Sequence, residues 1–169
     1  MHRVLRMAIA LAVVASGSSG ASSDGGMRLL AKETPRITVA IEGFNSALTS
    51  NGADMEAVRN QTELAIRRCG FAINETPHKA VMRVNAAGVL QEGRGYFGTV
   101  LIQVWIWERV RGEFVFINAW TEMTLFAGPP GTAGEQIRNA VAGLLDQFCN
   151  EYLKARDEVR GKSRAREQK

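Results

Sequence analysis

The sequence predicts an α+β two-layer sandwich with element order β-α-β-β-β-α, a four-stranded, mostly antiparallel sheet carrying two helices on one face. Three observations predict it. Residues 96–126 alternate as one long hairpin, and side chains of successive strand residues point to opposite faces. Residues 54–69 and 132–159 each carry a single apolar stripe at helical spacing, as helices packed on one side do. A strand, helix and second strand precede the hairpin, which is the pattern of a crossover unit.

The chain opens with Arg3 and Arg6, an apolar run over 7–15, and then small residues through Ala21. Residues 1–21 therefore have the layout of a secretory signal peptide. The run is far shorter than the roughly 20 residues a membrane span needs, so no transmembrane segment is expected once the signal is removed. The expected location is periplasmic or secreted. Residues 22–35 follow; the Ser/Gly-rich stretch 16–26 that leads into them makes a flexible leader the expectation.

A single α/β domain is expected over 36–156. Ile37, Val39 and Ile41 alternate with Thr38, Ala40 and Glu42 and mark strand one, 36–43. Helix one, 54–69, has Asn51 or Asp54 as its cap, and Met55, Val58, Thr62, Ala65, Ile66 and Cys69 on one face. Gly70 stops it. Strand two, 80–90, sends Met82, Val84 and Ala86 one way and Val81, Arg83 and Asn85 the other, with Gly88 as a candidate bulge. Helix two, 132–159, presents Ile137, Val141, Leu144, Leu145, Phe148 and Tyr152. Residues 157–169 form a charged C-terminal tail expected to fray, with weak contact to a membrane surface as its only other use.

In the hairpin, a bend at 109–112 pairs Trp107 with Phe114, Trp105 with Phe116 and Leu101 with Trp120. One face is then aliphatic, with Val100, Ile102, Val104, Ile106, Val115, Ile117, Ala119, Met123 and Leu125. The other carries Phe97, Trp105, Trp107, Phe114, Phe116 and Trp120. The aliphatic face suits the helices, which leaves the aromatic one outside. An exposed apolar patch of that size marks an interaction surface. The expected partner is an envelope protein or a second copy, bound through Trp105, Trp107, Trp120, Phe114, Phe116 and Phe97, with Arg83 near enough for a cation–π contact. Packing of this face under residues 22–35 is the plainer reading. A small-ligand carrier or small enzyme with a pocket between helix two and the sheet is the alternative.

Other chemistries find little support. Outside the termini, residues 22–153 hold 12 bases and 14 acids, a net of −2, so nucleic-acid binding is not expected. Gly93-Arg94-Gly95-Tyr96-Phe97-Gly98 fits a dinucleotide motif but opens a strand where the chemistry needs a helix. Gly128-Pro129-Pro130-Gly131-Thr132 begins like a phosphate loop but lacks the lysine and hydroxyl that follow. His78 is the sole histidine after the signal, and no Cys/His spacing suits zinc, so neither metal nor cofactor is expected and no catalytic residue is assigned. Cys69 and Cys149 are an even pair in an exported chain, which suggests a disulfide; two buried thiols are the other reading.

On element order across 36–156, the chain resembles small periplasmic α/β modules. These are the N-terminal domain of the Tol–Pal translocation protein, the lipopolysaccharide-assembly lipoprotein and penicillin-binding-protein activator lipoproteins. The run Leu144-Leu145-Asp146-Gln147-Phe148 with Tyr152-Leu153 looks like the closing helix of exported bacterial proteins. The resemblance implies partner binding without catalysis. The departure is that no cysteine stands near the cleavage region to carry a lipid anchor.

Overall fold

A computed structural model describes residues 21–32, 36–76, 79–91 and 95–167. The elements are α1 (Ala21–Lys32), β1 (Arg36–Glu42), α2 (Ser46–Thr49), α3 (Met55–Arg68), β2 (Ala72–Ile73), β3 (Ala80–Gln91), β4 (Gly95–Val110), β5 (Glu113–Gly128) and α4 (Ala133–Glu167). The class is α+β, as the sequence predicts, and the main elements keep the order β-α-β-β-β-α. Among the described residues there are four helices rather than two, and the sheet has five strands rather than four, in the order β2-β1-β3-β4-β5. β1 runs parallel to β2 and β3, and β3, β4 and β5 form an antiparallel meander. Residues 1–20 of the predicted signal peptide, His78 and Gly93-Arg94 lie outside the described residues, and Ala21, its predicted last residue, opens α1.

The helices occupy one face. Ile37, Met82, Val84, Ile102, Val104 and Ile106 point into the core from the sheet, and Val58, Ile66, Ile137, Val141, Leu145 and Phe148 meet them from α3 and α4. Asp54 is the cap of α3 and accepts from the backbone N–H groups of Glu56 and Ala57. Asn51 serves α4 instead: its side chain accepts from Gly131 N–H and its carbonyl accepts from Ala133 N–H, so two donors at the start of that helix are satisfied. Gly88 faces Gly98 in unbroken register, so the predicted bulge is not there. Both glycines face the core, and a Cβ on Gly88 would sit 2.6 Å from Leu48 of α2. Burial pushes the Tyr152 phenol up from its ordinary pKa, against the downward pull of Arg156 and Arg160.

Residues 22–35 are not a flexible leader as far as they are described. α1 packs against α4 and β5 and buries Met27 and Leu30 in the core. Arg28 also pairs with Glu158 of α4 at 3.1 Å. The glycine that reads as linker composition has a structural use. A Cβ on Gly26 would stand 2.5 Å from Ala119 Cα and 2.9 Å from its carbonyl oxygen. Only a glycine lets the helix come that near the strand backbone. Gly26→Ala should therefore destabilise by about 1 kcal/mol or more, because overpacking against backbone outweighs the ~1 kcal/mol gain in helix propensity. Gly25→Ala, with nothing within 4 Å, should keep that gain. Urea unfolding of the two variants checks the contrast; equal midpoints would show that the close approach carries no weight.

α4 continues to Glu167, beyond the predicted end at 159. Residues 160–165 of it are exposed. No helix among the described residues is long and apolar enough to cross a membrane.

Candidate docking surface on the outer face of the sheet

The hairpin turn is tighter than the sequence predicts. Arg111 and Gly112 alone make it, with φ of 51° and 94°. Two positive φ values are what a two-residue turn between twisted strands demands. Val110 therefore pairs with Glu113, Arg109 with Phe114, Trp107 with Phe116 and Trp105 with Asn118. The predicted partners of Trp107 and Trp105 are each shifted by two residues, a change that leaves the facing of side chains in this part of the hairpin intact. The rings of Trp107 and Phe116 pack at a tilt of 56° with centroids 4.3 Å apart, and Arg109 lies 5.8 Å over Phe114.

The facing changes further along. After Trp105 the register slips, so that Val104 pairs with Trp120 and Ala119 is left as the extra residue of a β-bulge. Ala119 and Trp120 then both point inward and are buried. This corrects the sequence expectation for Trp120: it belongs to the core, not to the aromatic face. Its ring meets Phe148 edge-on at 5.3 Å, and its Nε1–H donates to Glu151 Oε2 at 2.9 Å. Gln147 donates to the other oxygen of the same carboxylate. Beyond the bulge Met123 and Leu125, expected inside, turn outward and are 58% and 72% exposed. Val115, also expected inside, is exposed near the hairpin tip.

The other predicted surface residues do share the outer face. Phe97, Trp107, Phe114 and Phe116 are exposed, and Trp105 is half-buried. The Nε1–H of Trp105 is buried and finds no acceptor among the described residues. Arg83 is on this face too, opposite Gln103, but it is paired with Glu42 at 3.7 Å rather than with an indole. The cation over a ring is Arg109. Phe97 stands beside Val89 and Ala127, about 25 Å along β4 from Trp105 at strand rise.

The face thus has two apolar ends. Phe97, Leu101, Met123 and Leu125 make one; Trp105, Trp107, Phe114 and Phe116 make the other. A row of Arg83, Gln103 and Thr121 crosses between them. Sequence reasoning missed Met123 and Leu125 because one uncounted residue at the bulge reverses their facing.

α1 lies in the helical layer, against α4 and the backbone of β5 at Asn118 and Ala119, so it does not cover this face. The space between α4 and the sheet, where a pocket would serve the alternative reading, is filled by Trp120, Phe148, Tyr152, Ile102 and Leu145, each at most 2% exposed. On that side the cysteines come together: Cys69, which caps α3, and Cys149 of α4 form a disulfide with Cα atoms 5.6 Å apart.

No protein-family model and no curated protein matches the chain. Solved structures with a similar course of the backbone include a minor lipoprotein from Acinetobacter baumannii, at 12% identity and TM-score 0.42, covering 70% of this chain and 91% of the other. A protein designated a lipoprotein from Caulobacter crescentus follows at 12% and 0.39, covering 82% and 98%. A dodecamer of PelC from Paraburkholderia phytofirmans stands at 12% and 0.38, covering 68% and 88%. Likenesses this distant assign a role to no residue, and the chain is described by its own fold and faces.

Proposed function

We propose that this chain is an exported envelope protein that works by binding a protein surface, without catalysis, through the outer face of β3, β4 and β5. One observation carries the reading: among the described residues the helices cover one side of the sheet, while large apolar side chains stay exposed on the other. Leaving Phe97, Phe116, Met123 and Leu125 in water is unfavourable unless a partner removes them from it. The Cys69–Cys149 disulfide fits an oxidising compartment, in line with the signal-like N-terminus. Base stacking would use similar rings but asks for cations around them, and Arg83 is already engaged by Glu42.

Site-specific photo-crosslinking in the cell envelope tests this. Photoreactive residues at Phe116 and Leu125 should give discrete protein adducts, and one at Leu64, exposed on α3, should not. Equal yields at all three positions would remove the outer face as a docking surface.

A further inference from the structure

The outer face also has the properties of a surface that can meet itself. Across β3, β4 and β5 the outward positions begin at Val81, Phe97 and Phe114, and the only charged residues among them are Arg83 and Arg109. Arg83 is paired with Glu42, and Arg109 lies over Phe114 at the hairpin tip. A face dominated by one sign of charge would repel its copy; this one is close to neutral over its whole middle. Its exposed side chains, chiefly Phe97, Trp107, Phe114, Phe116, Met123 and Leu125, offer roughly 800 Å² of surface, which is what each partner of a standard stable interface contributes. Sheets also have a ready way to cover such a face, packing against one another at a spacing of about 10 Å.

A lipid surface fits less well. Anionic membranes recruit apolar faces that are rimmed with cations. Here the basic C-terminal residues continue α4, in the layer on the opposite side of the sheet.

We infer that the occupant of the outer face is a second copy of this chain, docked face to face in a two-fold dimer whose interface is the same patch on both subunits. This rests on the docking surface proposed above and names its partner.

The test is the mass of the exported chain, measured after signal removal by sedimentation at micromolar concentration. A dimer is expected. Leu125→Lys and Phe116→Lys, one in each apolar end of the face and both at well-exposed positions, should each weaken association about 30-fold or more, as loss of an anchoring interface side chain does. Leu64→Lys on α3 should leave the dimer intact, and thermal unfolding should show all three variants folded.

A wild-type chain that sediments as a monomer overturns the inference, as does Leu125→Lys dimerising like the wild type. The crosslinks separate the two readings. Adducts at Phe116 and Leu125 of twice the chain mass support the second copy. A monomer that crosslinks to a different protein sinks the dimer and keeps the docking surface. A monomer that instead floats with anionic phospholipid vesicles, or that crosslinks to nothing, sinks both.

Discussion

Trp120→Ala should lower the unfolding free energy by about 3–5 kcal/mol, the cost of emptying a large aromatic site in a packed core. Trp107→Ala should change it by less than about 1 kcal/mol. The two indoles sit on the same hairpin and differ in which side of it they serve. Trp120 is 2% exposed, touches Phe148 and donates to Glu151. Removing it opens a cavity beneath α4 and takes a hydrogen bond from a carboxylate at the edge of the core. Trp107 is 38% exposed and rests chiefly on Phe116. Urea unfolding of both variants in parallel is the check. Equal losses would mean that the register does not slip after Trp105, and the whole division into inner and outer faces would fall with it.

Loss of the disulfide should cost a comparable amount. Cys69 and Cys149 are 80 residues apart in sequence, and tying a loop of that length restricts the unfolded chain by about 4–5 kcal/mol on the chain-entropy estimate. A domain of this size has only about 5–15 kcal/mol of net stability. Reduction should therefore move the unfolding midpoint by a large fraction of its value, and the double variant Cys69→Ala with Cys149→Ala should behave like the reduced chain. The bond joins the end of α3 to the middle of α4, and those helices make the floor on which β1 and β5 rest. An unchanged midpoint under reductant would show that the packing of Phe71, Phe148 and Tyr152 holds the helices together unaided.

Local rules made the middle of the chain legible. Alternation over β3 and β4 places Met82, Val84, Ile102, Val104 and Ile106 inside, and Arg83, Phe97, Trp105 and Trp107 outside, as the structure has them. The stripes of α3 and α4, the Asp54 cap and the class of the fold follow from the same kind of reading. Three features escaped because a local pattern does not record them. α1 is rich in serine and glycine, and its helix is held by tertiary contact rather than propensity: Gly26 is selected by the nearness of Ala119, which no neighbouring residue reveals. β2 is two residues long and exists only because β1 offers an edge beside it. The bulge depends on how β5 must bend across α1 and α4. Its one trace in the sequence is a small residue, Ala119, next to a large one, Trp120, and that pair is equally at home in unbroken alternation.

The extra residue at Ala119 also limits how this chain can change in length. Between the turn and the bulge, β5 is read in one phase; beyond it, in the other. Losing a single residue from 121–125 would swing Phe126 out of the core, whereas losing two would preserve its phase and merely shorten the strand. Shortening at the tip of the hairpin, by contrast, must take matched residues from both arms, since β4 and β5 are bound rung by rung. Over evolutionary time, relatives of this protein should vary in length by even steps, both at the tip of the hairpin and between the bulge and the inward residue that stands where Phe126 does.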